Sequence, residues 1–155
     1  MAIREGTARA DRLIGTNFID FMEGKGGNDF LFGLGGNDIM DGDSGNDLLD
    51  GGSGNDNMEG GLGADTLLGG AGADKLYGGA GNQWLQGGAG ADVLSGSTGI
   101  DWISYEPSVQ GVTVNLATLA ASGGDATGDL ISGIENVAGS NTGNDVLTGN
   151  SAANH

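Results

Sequence analysis

Along most of the chain the apolar signal is one aliphatic or methionine side chain that returns every nine residues: Leu13, Met22, Leu31, Met40, Leu49, Met58, Leu67, Leu76, Leu85, Leu94 and Ile103. Each sits in the middle of a three-residue stretch that predicts a very short strand, with the central side chain facing one way and its two neighbours the other. The six residues between strands are rich in glycine and predict a turn. Because every turn reverses the chain, two units of nine should complete one revolution of a thin, flattened coil. Units i and i+2 then stack in parallel at about 4.8 Å. The expected fold class is all-β: a right-handed parallel β-roll, or β-solenoid, with one inward residue per strand.

Counting Gly6 as position 1, glycine opens 11 consecutive units, at Gly6, Gly15, Gly24, Gly33, Gly42, Gly51, Gly60, Gly69, Gly78, Gly87 and Gly96. Position 8 is the apolar one. Position 6 is Asp in ten of the 11 units: Asp11, Asp20, Asp29, Asp38, Asp47, Asp56, Asp65, Asp74, Asp92 and Asp101, with Gln83 the exception. Position 4 is Gly in nine units, but Arg9 and Phe18 stand there in the first two, which read as a cap. Glycine at positions 1, 4 and often 2 is expected to supply φ > 0 and to turn carbonyls toward an ion. A disordered linker would explain neither the unbroken register nor the apolar column.

Stacking brings position-6 carboxylates about 5 Å apart, where two unit charges repel by roughly 3 kcal/mol at an effective dielectric of about 20. The whole chain sharpens the problem, with 21 acidic against 5 basic residues and a formal charge of -16. That balance argues against nucleic acid or an anionic membrane as partner and calls for multivalent cations. All candidate ligands are oxygens, without Cys and with the single His at residue 155, so calcium fits better than zinc or copper. Magnesium gives up its waters too reluctantly for a cage of main-chain carbonyls. No stretch approaches the roughly 18 apolar residues of a membrane span, and residues 1–5 lack the apolar core of a secretory signal.

Central units such as GGSGNDNME (51–59) and GGAGADKLY (69–77) match the pattern GGxGxDxUx. On these residues the chain resembles the repeat-in-toxin (RTX, hemolysin-type) calcium-binding nonapeptide repeats of secreted bacterial proteins. The resemblance implies about 5 to 8 calcium ions, each between turns i and i+2 and shared by their position-6 residues. The implied ligands are Asp29, Asp38, Asp47, Asp56, Asp65, Asp74, Asp92 and Asp101, with Asp20 at the margin, and the turn glycines Gly27, Gly36, Gly45, Gly54, Gly63, Gly72 and Gly90. The strongest positions fall between Asp29 and Asp47, Asp47 and Asp65, Asp38 and Asp56, Asp56 and Asp74, and Asp74 and Asp92. Gln83 is expected to weaken the two positions it shares with Asp65 and Asp101, since its amide lacks charge and its longer side chain displaces the oxygen. The resemblance also implies an extracellular location reached by type I secretion, and a role in folding an attached passenger such as a toxin, protease, lipase, alginate epimerase or adhesin. The other reading is an extracellular binding module that contacts a polysaccharide or an adhesin partner, as in an alginate-epimerase-like enzyme.

After a repeat region of residues 1–104, residues 105–139 lose the period. They carry the only proline, Pro107, and an alternating run from Val112 to Leu116 that predicts a strand. This part reads as a C-terminal β capping segment, with Asp125, Asp129 and Glu135 taken as solvated loop acids in preference to the alternative, a further ion site. Residues 140–155 read as the start of a further array, in which Gly143, Asp145 and Leu147 occupy positions 4, 6 and 8.

Odd-numbered units place Phe30, Phe32, Leu48, Leu68, Trp84 and Trp102 on one outer face, the more apolar of the two. That face is a candidate for self-association or for a stacked glycan. Nothing in the chain matches HExxH, GxSxG or a phosphate loop, and carboxylates that recur every nine residues form a ladder rather than a catalytic pair. No enzymatic activity is expected.

Overall fold

The computed structural model describes residues 1–151. Residues 152–155, the end of the unit expected from Gly149, lie outside the described residues. Five strands of three residues come first: β1 (Ile3–Glu5), β2 (Arg12–Ile14), β3 (Phe21–Glu23), β4 (Phe30–Phe32) and β5 (Ile39–Asp41). Six strands of six residues follow: β6 (Leu48–Ser53), β7 (Asn57–Leu62), β8 (Thr66–Ala71), β9 (Lys75–Ala80), β10 (Trp84–Ala89) and β11 (Val93–Thr98). The remainder are short again: β12 (Trp102–Ser104), β13 (Thr113–Asn115), β14 (Ala120–Ser122), β15 (Leu130–Ser132), β16 (Asn136–Ala138) and β17 (Val146–Thr148).

The strands form a parallel β-solenoid of about six turns. One sheet runs β1-β3-β5-β7-β9-β11-β15-β14-β13-β17 and the other β16-β12-β10-β8-β6-β4-β2, so consecutive units alternate between sheets. Leu31 pairs with Leu49 and Leu49 with Leu67, each 18 residues on, as the nine-residue period requires. From Met22 to Ile103 every position-8 side chain is buried, and they meet in a single column between the sheets. Among the described residues only β14 runs antiparallel to its neighbours.

The central strands are twice the expected length because positions 2 and 3 also pair, as in Gly52 with Gly70 and Ser53 with Ala71. The bend falls at position 2, which has a left-handed φ from Lys25 to Ser97. Glycine takes that conformation at no steric cost. Lys25, Leu34, Asp43 and Ser97 make the same bend with φ of 67° to 81°. At position 4 the constraint is contact rather than φ alone, for a Cβ on Gly45 would land on the carbonyl of Gly27 in the turn beneath.

Residues 105–139 extend both sheets. β15 stacks on β11, with Ile131 opposite Leu94, and β16 stacks on β12, with Val137 opposite Ile103. Tyr105, Val112, Val114, Leu116, Ala126, Ile131 and Ile134 widen the core at this end beyond the single column.

Candidate metal centre

Each position-6 Asp lies at the end of a turn, immediately before its strand, with its side chain directed back into the turn. One carboxylate oxygen, Oδ1, accepts the backbone N–H of the residue 18 positions earlier. The distances are 2.7 Å from Asp29 to Asp47, 2.7 Å from Asp38 to Asp56, 2.8 Å from Asp56 to Asp74 and 2.8 Å from Asp74 to Asp92. The Asp column therefore ties each turn to the one before it. At position 5 a second ladder runs the other way, since Asn28, Asn37, Asn46 and Asn55 each accept an N–H from the residue 18 positions later.

The other oxygen has no such partner. Oδ2 of Asp29, Asp38, Asp47, Asp56, Asp65, Asp74, Asp92 and Asp101 is buried and lacks any hydrogen bond. A buried carboxylate oxygen without a donor or a cation is costly. Each one points at the position-1 glycine of its own unit, and from Asp29 to Asp74 the carbonyl of the position-1 glycine two units on closes the same space. A Cβ on Gly60 would lie 2.7 Å from Asp65 Oδ2 and 2.6 Å from the Gly78 carbonyl, and one on Gly69 2.6 Å from Asp74 Oδ2 and 2.5 Å from the Gly87 carbonyl. No φ > 0 is found at position 1. This corrects the expectation that position 1 is glycine for its backbone freedom: the missing side chain leaves an oxygen-lined cradle open.

Among the described residues no three acidic or histidine side chains meet at one point. A cation in a cradle would thus be held by one or two carboxylates together with main-chain carbonyls, a donor set that suits calcium. The expected glycine ligands Gly27, Gly36, Gly45, Gly54, Gly63, Gly72 and Gly90 stack at position 4, and every carbonyl but that of Gly90 faces the position-4 glycine two units on. Sequence reasoning overlooked the position-1 carbonyls, although the strict recurrence of that glycine was their signal.

Burial holds the column above the ordinary carboxylate range. Asp38, Asp47 and Asp74 are pushed up to about 6, first by desolvation and then by the charges of neighbouring column members. Asp29, Asp56, Asp65, Asp92 and Asp101 are raised for the same leading reason. Asp20 differs. It is buried, but Thr16 gives its Oδ2 both a main-chain N–H at 2.5 Å and a hydroxyl at 2.9 Å, and Ala2 N–H meets its Oδ1. Desolvation acts upward on Asp20, yet these bonds together lower its pKa. Asp11 is held similarly by Thr7.

Gln83 keeps the register by accepting Asp65 N–H through Oε1 at 2.8 Å, while its Nε2 donates to the Gly63 carbonyl at 2.9 Å. Its Cγ lies 2.5 Å from where a Cβ on Gly78 would be. One cradle is thus filled by the side chain itself, whereas the cradle of Asp65 keeps its unpartnered oxygen and the Gly78 carbonyl. Gln83→Asp is expected to open that cradle and to add one bound calcium ion, countable by titration calorimetry or native mass spectrometry. An unchanged ion count would show that the amide does not block a site.

The columns continue beyond the repeats. Asp92 N–H donates to Asp129 at 2.9 Å and Asp101 N–H to Glu135 at 2.9 Å. Asp129 is 5% exposed, which corrects the reading of this residue as a solvated loop acid. The signal was the spacing of acid to apolar residue, in Asp129 to Ile131 and Glu135 to Val137, which repeats positions 6 and 8.

The family model of the RTX calcium-binding nonapeptide repeat (4 copies) matches residues 5–39, 14–49, 50–82, 68–103 and 140–155. No curated protein matches the chain.

Proposed function

The chain belongs to the RTX calcium-binding nonapeptide repeat family, a family of structural calcium-binding modules rather than of enzymes, and from that premise we propose that it is an extracellular scaffold that folds around rows of calcium ions. The ions are held at Asp29, Asp38, Asp47, Asp56, Asp65, Asp74, Asp92 and Asp101, with position-1 and position-4 carbonyls completing each shell. The observation that carries this reading is the set of eight buried Oδ2 atoms, each without a partner and each aimed into a glycine cradle.

A bound calcium ion supplies the positive charge and the oxygen coordination that these carboxylates lack. The chain's own residues do the rest. Asp Oδ1 fixes the register of adjacent turns, position-1 glycine keeps the cradle open, and the position-8 column excludes water from between the sheets. Where calcium is scarce the columns repel and the scaffold stays unfolded; where it is abundant, outside the cell, the roll forms and presents a rigid start for folding an attached passenger. No helix among the described residues is long and apolar enough to cross a membrane.

Calcium titration of the wild-type chain with ion counting tests the reading: several ions per chain are expected, and fewer than three would overturn it. A second reading, an extracellular binding module, is favoured by the stacked rings of Trp84 and Trp102, 5.8 Å apart at 21°. They share a sheet with Phe30, which is 49% exposed. If this face binds a polysaccharide or a second copy of the chain, Trp84→Ala should reduce retention on a glycan array or dissociate the oligomer in light scattering. No change in either would remove this reading.

A further inference from the structure

Residues 104–139 lie between the stretches matched by the repeat model, yet they meet both columns of acids. The two junctions are built differently. Beside β15, Asp129 accepts Asp92 N–H with one oxygen and the Tyr105 hydroxyl, at 2.9 Å, with the other. A side-chain donor thus satisfies the carboxylate. Beside β16, Glu135 Oε2 takes Asp101 N–H at 2.9 Å, as the Asp two units on does elsewhere. As Asp92 does at the first junction, Asp101, 0% exposed, keeps its Oδ2 without a partner.

That oxygen faces a cradle of the same composition as those in the array. A Cβ on Gly96 would lie 2.5 Å from Asp101 Oδ2 and would strike the carbonyl of Gly133. Within the array the corresponding carbonyl comes from a glycine five residues before the acid, as Gly42 precedes Asp47; here Gly133 stands two residues before Glu135. A shorter loop of unrelated sequence therefore delivers the same pair of oxygens. Two local features make this possible. Gly133 has a φ of 58°, which turns the short loop, and the extra methylene of Glu135 spans the distance that a shorter carboxylate side chain would leave.

We propose that this junction is a calcium site in its own right, formed by Asp101 Oδ2 and the Gly133 carbonyl with Glu135 as the second acid, and that it docks residues 105–139 onto the last turn of the array. The proposal rests on the cation reading of the array and adds ligands from outside the repeats. The donor set distinguishes the two junctions: Asp92 Oδ2 also lacks a partner, but the atoms nearest a Cβ on Gly87 are those of Asp92 alone and Asp129 already has the Tyr105 hydroxyl, whereas at Gly96 the Gly133 carbonyl joins Asp101 Oδ2 beside Glu135.

The test uses the full chain with calcium as the only added ligand. Wild type, Glu135→Gln and Asp101→Asn are compared for ions bound, by native mass spectrometry, and for protease cleavage within residues 105–139 at a calcium level that keeps the array folded by circular dichroism. Glu135→Gln keeps an oxygen for the Asp101 N–H and loses only the charge. Both variants are expected to bind one ion fewer and to be cleaved at least several-fold faster in this segment, with the array signal unchanged. Ion counts and cleavage equal to wild type in both variants would overturn the junction site alone. A wild-type chain that binds no calcium would overturn the array reading, and this one with it.

Discussion

In excess chelator at neutral pH the chain is expected to lose its β-roll, and added calcium to restore it cooperatively at roughly 0.1 to 1 mM, the range of extracellular calcium modules. The reason lies in how little else holds the turns together. The core through most of the molecule is one side chain wide, from Met22 to Ile103. Against it stand eight buried carboxylate oxygens without partners and a net charge of -16. Such a chain has too little apolar surface to offset its ordering entropy and its charge without a bound ion. Far-ultraviolet circular dichroism across a calcium titration measures this directly. A full β spectrum in chelator at pH 7.5 would refute it.

Acid is expected to act in two opposed ways. Asp38, Asp47 and Asp74 have folded-state values of about 6 against an ordinary 3.8, because burial and neighbouring carboxylates disfavour their charge. A folded state that binds protons more tightly than the unfolded one is favoured by acid. That contribution is fully present below about pH 3.8 and is lost as pH rises through about 6. The calcium-free roll should therefore gain β structure between pH 8 and pH 5, as protons neutralise the columns in place of metal. Over the same interval protons compete with calcium on the folded columns, so calcium added to a roll already formed by acid should bind more weakly than at pH 7.5 and release protons as it binds. Calcium titrations at pH 7.5 and 5.5, with chelated controls at each, read both effects. A calcium-free β content that is the same at pH 8 and pH 5 would show that these carboxylates are not raised.

The columns at positions 6 and 8 and the pairing of units i and i+2 were legible in the sequence because a solenoid writes its register directly into its period. Leu49 could only meet Leu31 and Leu67. The meaning of position 1 was not legible, because a glycine required for its left-handed φ and a glycine required for its missing Cβ look alike in one dimension. Asp129 and Glu135 were misread for another reason. Residues 105 to 128 interrupt the count, so Asp129 stands 37 residues from Asp92 instead of 18, and only the three-dimensional path restores it to the column. The blocked cradle at Gln83 was half legible: the loss of charge was plain, but the hydrogen bond from Nε2 to Gly63 that makes the amide self-sufficient depends on the turn two units back.

The uniform register of 18 residues makes length a discrete variable of this molecule. Removing residues 51–68 would join units of the same parity, and every later strand would still find its partner in its own sheet, one storey lower. Removing nine residues instead would send each later strand to the opposite sheet. The face bearing Trp84 and Trp102 would part from the face bearing Phe30 and Phe32 and change sides, while Asp92 with Asp129 and Asp101 with Glu135, all downstream, would move together. Because each turn touches only the turns above and below it, the energetic cost of adding or losing a whole turn is local. Such a chain can be lengthened or shortened in whole revolutions without redesign of its ends, while half a revolution turns one end of the roll to the opposite side of the other.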